Sequence, residues 1–136
     1  MIVQPYLFFE GRCEEALEFY KGALGAEVTA LIRNSENPDP SMTPPGMENK
    51  VLHANFNVGG TQLMASDGMC SGTPNFAGVS LSLAADDVAE AERLFAALAE
   101  GGQVKLPMHE TFFAKRFGMV ADEFGVSWMV IAGKDH

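Results

Sequence analysis

The densest group of side chains that could do chemistry lies between residues 109 and 117. It holds a titratable pair, two cations and three aromatic rings, namely His109, Glu110, Lys115, Arg116, Phe112, Phe113 and Phe117. An acid or base beside apolar rings, with cations to hold an anionic group, is typical of a ligand pocket with acid–base chemistry. The same rings could equally fill a core while the charges stay in water. The segment alone does not decide between these two interpretations.

A second candidate is a metal site around His53, which lies near the start of a predicted strand. His53 could converge with His109, Glu110 and Asp67, because imidazole and carboxylate groups bind divalent ions. These residues lack the spacing of a metal motif, and a single strand histidine is more often a hydrogen-bonded structural residue. The third histidine, His136, ends the chain outside any patterned segment. The sequence therefore favours a structural role for His53.

Nucleophilic catalysis has little support. No serine lies in a Gly-x-Ser-x-Gly elbow, and neither Cys13 nor Cys70 has a histidine close to it in sequence. The cysteines also lack the spacing of a disulfide framework or a zinc site, so both are expected to be free thiols. No cofactor is predicted.

The composition excludes several classes of partner. The chain has 136 residues, enough for one domain with a core, and a formal net charge of −9. Nucleic acids and anionic membranes are bound by clustered Lys and Arg, so neither is expected as a partner. No apolar run approaches the roughly 20 residues of a membrane span, and residues 1–4 do not resemble a signal peptide. We therefore expect a cytoplasmic protein.

An internal repeat organises the chain. A shift of 76 residues places Phe19 on Phe95, Ala23 on Ala99, Gly25 on Gly101, Glu27 on Gln103 and Val28 on Val104. A copy of fewer than about 70 residues cannot close a core by itself, so the two copies must bury their apolar faces against each other. A ligand site is expected where they meet.

Each copy is predicted to contain one strand, one helix and three further strands. The first copy has strands at Ile2–Phe9, Glu27–Arg33, Val51–Val58 and Thr61–Ser66, a helix from Arg12 to Leu24, and no regular structure at Asn34–Lys50. The second has strands at Val79–Ala85, Gln103–Leu106, Phe117–Ala121 and Val126–Ala132, a helix capped by Asp87 and ended by Gly101, and His109 in a loop. The chain is therefore predicted to be a single α+β domain of two tandem βαβββ modules, 1–67 and 78–136, joined by a connector at 68–77.

Several strings resemble a known superfamily. The spacing of Pro5–Gly11, Glu15-Ala16, Phe19-Tyr20 and Leu24–Ala26 is similar to the first module of the glyoxalase/bleomycin-resistance/dioxygenase superfamily, also called vicinal oxygen chelate proteins. Further strings resemble its PhnB-like branch: His53–Asn55, Leu63–Asp67, Glu110–Ala114, Phe117-Gly118 and Phe124–Met129. The resemblance covers almost the whole chain. It implies a glyoxalase-like fold whose mixed sheets curl around a cleft, and it implies a homodimer.

The resemblance also implies where a metal would lie. Metal-using members place a His or Gln on the first strand, a Glu on the last strand of module one, and a His and a Glu at the equivalent places of module two. Here these places fall on Gln4 or Pro5, Leu63 or Met64, Val79 or Ser80, and Met129. Gln4 could coordinate through its amide oxygen, but a thioether does not replace a hard carboxylate oxygen. The usual four-ligand metal site is therefore predicted to be absent.

The function predicted from these observations is binding of a small organic molecule in the cleft between the modules, without that metal. The residues expected to line the cleft are Gln4, Tyr6, His53, Met64, His109, Phe112 and Trp128. If a reaction takes place, His53, His109 and Glu110 are the candidate catalytic groups.

Two alternatives stay open, and one name implied by the resemblance is set aside. A metal-dependent isomerase, lyase or dioxygenase could use a shifted metal centre on His53, His109 and Glu110. A drug-sequestering protein of the bleomycin-resistance kind could hold a cationic drug, which the net charge of −9 permits. Some PhnB-like members are named 3-demethylubiquinone-9 3-methyltransferase. We interpret that name as inherited through similarity, because this chain lacks the Gly-rich strand-to-helix loop expected for S-adenosylmethionine.

Overall fold

The computed structural model describes residues 1–133, and His136 lies outside this part of the chain. Two compact units are found, with the boundary between Pro74 and Asn75. We call them unit 1 and unit 2. Each unit contains one helix and a four-stranded mixed sheet, so the prediction of an α+β fold with two βαβββ modules is confirmed.

Unit 1 has its strands in the order β1-β4-β3-β2. Its elements are β1 (Tyr6–Phe8), α1 (Cys13–Leu24), β2 (Glu27–Arg33), β3 (Val51–Val58) and β4 (Thr61–Ser66). The first strand runs parallel to β4, and the other neighbours are antiparallel. The helix ends at Gly25, whose φ of 66° is left-handed and whose N–H donates to the Lys21 carbonyl at 3.1 Å. Glycine takes this conformation without a steric penalty, which explains the end of α1.

Helix α1 covers one face of the unit 1 sheet. Its buried stripe includes Cys13, Ala16, Leu17 and Tyr20, at the spacing of one helix face. The ring of Tyr20 stacks on that of Phe56 in β3, with centroids 6.1 Å apart. Since successive residues of a strand point to opposite faces, Phe56 and its alternates lie under the helix, and the residues between them lie on the other face.

Unit 2 repeats this topology with the strand order β5-β8-β7-β6. Its elements are β5 (Ser80–Ala85), α2 (Val88–Ala99), β6 (Gln103–His109), β7 (Ala114–Ala121) and β8 (Ser127–Gly133). The predicted helix start is confirmed, because the Asp87 side chain accepts a hydrogen bond from the Glu90 N–H at 2.8 Å. As in unit 1, the first and last strands are parallel.

Four predicted elements need correction. Strand β7 begins at Ala114, three residues before the predicted start at Phe117, and Ala114 pairs with Gly133 of β8. The first strand is much shorter than Ile2–Phe9, because residues 1–3 are exposed and Pro5 has no N–H to donate. His109 is the last residue of β6, paired with Phe117, and does not lie in a loop. The segment 34–50 contains two short 3₁₀ turns, Asn34–Glu36 and Pro40–Met42. Backbone hydrogen bonds from Asn34 and Ser35 to residues 50 and 48 fix the base of this segment.

Candidate functional site

The unit 1 sheet carries a mostly uncharged set of side chains on the face opposite α1, which we call the Tyr6 face. Register pairs share a face, and the pairs Tyr6 with Met64, Met64 with Asn55 and Ile32 with His53 define it. Its members are Tyr6, Phe8, Glu27, Ala30, Ile32, His53, Asn55, Asn57, Gln62, Met64 and Ser66. Three predicted ligand-binding residues, Tyr6, His53 and Met64, therefore lie together. A fourth, Gln4, is half-buried just before β1.

A hydrogen-bond chain crosses this face through Tyr6, His53 and Asn55. The Tyr6 hydroxyl lies 3.0 Å from Nδ1 of His53, and Nε2 of His53 lies 2.8 Å from Oδ1 of Asn55. An amide oxygen only accepts, so Nε2 carries a proton, and in the neutral imidazole Nδ1 then accepts a hydrogen bond from the tyrosine hydroxyl. All three side chains are half-buried. This hydrogen-bond chain fixes the ring of His53 and the direction of the Tyr6 hydroxyl.

Asn55 is a functional candidate that sequence reasoning missed. It lies two residues after His53 on β3, and the alternation of a strand places both on one face. That spacing was the available signal, because an amide at this position can bond the histidine ring.

The segment 109–117 of unit 2 holds a row of aromatic rings. The centroids of Phe112 and Phe113 are 5.2 Å apart, those of Phe113 and Phe117 are 5.2 Å apart, and His109 lies 6.3 Å from Phe117. Phe117 is buried and Phe112 is 92% exposed, so the row leads from the sheet into solvent. His109 is exposed, and its Nδ1 lies 2.8 Å from the carbonyl oxygen of Pro107. The interpretation as a core is therefore correct for Phe117 and not for Phe112.

Trp128 lies on the face of the unit 2 sheet that is covered by α2. Trp128 pairs with Val120, and Gly118, two residues before Val120 in β7, lies on the same face. Gly118 is close to α2, since a Cβ added to it would be 2.8 Å from the ring of Phe95. The indole N–H donates to Oδ2 of the buried Asp122 at 2.9 Å. Trp128 is thus built into the unit 2 core, and we do not include it in the candidate site.

The two methionines that stand where the resemblance implies glutamates occupy equivalent positions. Met64 pairs with Tyr6, and Met129 pairs with Ser82, so each lies beside the first strand of its unit and on the face opposite the helix. Within residues 1–133 no group of three or more His, Cys, Asp and Glu side chains is placed to hold a metal ion. Both carboxylate oxygens of Asp67 accept backbone N–H groups, from Cys13 at 2.7 Å and from Val51 at 2.6 Å.

A polar cavity of about 580 Å³ lies at the start of α1, and its charges are largely paired. Arg33 donates to both oxygens of Glu14, at 3.2 and 2.7 Å, and Arg12 pairs with Glu15 at 2.7 Å. The hydrogen bond from Arg33 holds the pKa of the Glu14 carboxyl below its usual value. The Arg33 pair ties the end of β2 to α1, so we assign this cavity a structural role.

Both cysteines are free thiols, as predicted, and Cys13 gives the stability of the protein a pH dependence. Burial raises the pKa of Cys13 from 9.0 to about 12. Above pH 9 the unfolded thiol loses its proton while the folded thiol keeps it, so the free energy of unfolding falls as pH rises. We expect the free energy of unfolding, measured with urea, to fall between pH 8 and pH 10.5. The fall should be about 2 kcal/mol larger in the wild type than in Cys13→Ala. The half-exposed Cys70 supplies the matched Cys70→Ala control, and parallel pH profiles of wild type and Cys13→Ala would contradict the assignment.

The fold places the protein in a structural class. A glyoxylase/bleomycin resistance protein/dioxygenase domain from Frankia sp. EAN1pec has a similar structure, with a TM-score of 0.64 and 18% identity over 97% of this chain and 94% of that one. The glyoxalase-like fold predicted from the sequence is therefore confirmed. Within residues 1–133 no helix has both the length and the apolarity needed to cross a membrane.

Sequence comparison then gives the family. The chain belongs to the family described as 3-demethylubiquinone-9 3-methyltransferase, whose model matches residues 2–131. Protein YjdN of Escherichia coli is 38% identical over 96% of this chain and 94% of its own length. Protein PA1353 of Pseudomonas aeruginosa is 43% identical with a TM-score of 0.86, covering 99% of each chain. The Bacillus cereus PhnB protein is 30% identical with a TM-score of 0.82, over 98% of this chain and 100% of that one, which confirms the PhnB-like assignment.

Proposed function

We propose that this protein binds a small organic molecule on the Tyr6 face of unit 1, without the four-ligand metal of the superfamily's metal-using members. The observation that carries the proposal is the hydrogen-bond chain from Tyr6 through His53 to Asn55. Half-buried polar groups held in one arrangement, with apolar side chains around them, are the usual composition of a small-molecule site. A homodimer, which the sequence resemblance implies, and a cytoplasmic location complete the proposal.

The methionines support the part of the proposal that concerns the metal. Met64 and Met129 lie beside the first strand of each unit, where metal-using members supply carboxylates. Thioether sulfur is a soft ligand and is poorly suited to magnesium, manganese or ferrous iron. The alternative of a shifted metal centre would need His53, His109 and Glu110 in one coordination sphere. His53 instead has both ring nitrogens within hydrogen-bond distance of Tyr6 and Asn55.

We do not extend methyl transfer, named in the family description, to this protein. A nucleotide-type cofactor is usually bound by a parallel βαβ unit with a Gly-rich loop between strand and helix. Here the strands on either side of α1 are at opposite edges of the unit 1 sheet, and the same is true around α2 in unit 2. The architecture of each unit therefore differs from the one that this chemistry commonly uses.

The test is a fragment screen monitored by backbone amide shifts. Binders are expected to shift the amides of β1, β3 and β4, and Asn55→Ala should weaken them about three- to tenfold, because it removes one hydrogen bond from the chain. The exposed Asn49, outside this face, provides the matched control Asn49→Ala. Shifts confined to unit 2, or equal affinities in the two variants, would count against the site.

Metal content provides a second, independent measurement. Protein purified without chelators is expected to contain less than one equivalent of any transition metal. Stoichiometric metal that disappears in both His53→Ala and His109→Ala would instead establish the metal-dependent alternative.

A further inference from the structure

We infer that the ligand of the Tyr6 face is a neutral aromatic molecule whose N–H or O–H group donates a hydrogen bond to the Tyr6 oxygen. This inference deepens the proposed function and rests on it. Three features of the face lead to it: the direction of its hydrogen bonds, the type of its apolar groups, and the scarcity of charge.

The direction of the hydrogen bonds makes Tyr6 an acceptor. The Nε2 N–H of His53 is directed to the oxygen of Asn55, so in the neutral imidazole Nδ1 has no proton and accepts a hydrogen bond from the Tyr6 hydroxyl. The Tyr6 oxygen then has only lone pairs to offer. A ligand group that donates satisfies it, and a ligand group that only accepts is placed against another acceptor.

The apolar part of the face suits a flat ring. Phe8 is 53% exposed and its ring lies 4.9 Å from that of Tyr6, tilted by 35°. Met64 pairs with Tyr6 across the strands, and a thioether beside aromatic rings makes favourable contacts with a further ring. Ring-to-ring contacts of this kind are more favourable than burial of apolar area alone. The exposed Phe8 therefore supplies a surface on which an aromatic ligand can pack next to the Tyr6 oxygen.

The lack of charge selects a neutral ligand. Of the residues that define the Tyr6 face, only Glu27 is charged, and it lies at the first position of the edge strand β2. The other polar side chains of β3 and β4 on this face are amides, an imidazole and a hydroxyl: His53, Asn55, Asn57, Gln62 and Ser66. A charged ligand would lose hydration there without an opposite charge to replace it, which is strongly unfavourable.

Four related probes separate these features: indole, 1-methylindole, indole-3-acetate and tryptamine. Indole has the donor, 1-methylindole lacks it but has more apolar surface, and the other two add a negative or a positive charge. Amide-shift titrations of the full-length protein should show indole binding about three- to tenfold more tightly than 1-methylindole. The two charged probes should each bind at least about tenfold more weakly than indole.

A pair of tyrosine variants tests the role of the Tyr6 oxygen. Tyr6→Phe should bring the ratio of the indole and 1-methylindole affinities close to one, while Tyr20→Phe should leave it unchanged. Tyr20 is the other tyrosine of the chain and lies buried on the helix face. Equal affinities of the two probes in the wild type would overturn the inference, as would a ratio that Tyr6→Phe does not alter.

The probes also distinguish a failure of this inference from a failure of the proposed function. If none of the four shifts the amides of β1, β3 and β4 and the fragment screen finds no other binder there, the proposed function fails together with the inference. If probes bind there in a different order, only the inference fails. If tryptamine binds most tightly of the four probes, the inference that the ligand is neutral is wrong, and a site for cationic drugs is favoured.

Discussion

Asp122→Ala is expected to lower the free energy of unfolding by about 3–5 kcal/mol, a large part of the stability of a domain of this size. Asp122 is 4% exposed. Its carboxylate accepts hydrogen bonds from the N–H groups of Phe124 and Val126, at 2.9 and 3.1 Å, and from the indole of Trp128 at 2.9 Å. Alanine would leave three buried donors without these acceptors, and each such donor is costly.

The measurement is urea unfolding followed by fluorescence of Trp128, the single tryptophan of the chain. Asp122→Asn should be less destabilising, by about 1–3 kcal/mol, because one amide oxygen remains but the amide nitrogen opposes another donor. Asp86→Ala changes an exposed aspartate near the start of α2 and should stay within about 0.5 kcal/mol of the wild type. If Asp122→Ala and Asp86→Ala unfold within 1 kcal/mol of each other, roughly the usual worth of one hydrogen bond, Asp122 does not organise the turn before β8.

Gly102→Ala is expected to lower the free energy of unfolding by more than about 2 kcal/mol. A Cβ on Gly102 would overlap the carbonyl oxygen of Ala121 and lie 2.9 Å from two backbone atoms of Asp122. Backbone atoms cannot turn away as a side chain can. Relief would require a shift at the start of β6, where Gln103 pairs with Ala121.

Gly22→Ala is the matched control and should have the opposite sign. Gly22 is exposed within α1, and nothing lies within 4 Å of the position its Cβ would take. Alanine is favoured over glycine in a helix interior by about 0.5–1 kcal/mol, so this variant should be more stable than the wild type. Thermal unfolding of both variants provides the comparison, and destabilisation of similar size in both would show that the space around Gly102 is not the cause.

Local patterns predicted most of the secondary structure. The bounds of β2, β3 and β4 agree with the predicted ones, because alternating apolar residues and the Gly59-Gly60 turn define them locally. The end of β6 was not predictable in the same way. His109 follows Pro107 and Met108, and it is held in the strand by its pairing with Phe117, which residue patterns near His109 do not reveal. Pairing with Gly133 likewise explains the start of β7 at Ala114, whereas the late start of β1 has a local cause in Pro5.

The candidate site was predictable in part. Strand alternation places His53 and Asn55 on one face, and β1 brings Tyr6 beside Met64 by a pairing between residues far apart in the chain. The same alternation shows why Trp128 differs from Met129: adjacent strand residues point to opposite faces, so only one can face away from α2. The hydrogen bond between Tyr6 and His53 required the register of three strands, which no local pattern contains.

The parallel pairing of first and last strands affects how the chain can fold during synthesis. In unit 1 the sheet neighbour of β1 is β4, so β1 has no strand to pair with until residue 66 has left the ribosome. In unit 2, β5 must likewise wait for β8, which ends at Gly133. Closing such long loops before any pairing energy is gained makes folding slow. Each nascent module therefore keeps an unpaired apolar strand exposed for most of its translation, which is the period when chaperones bind such segments.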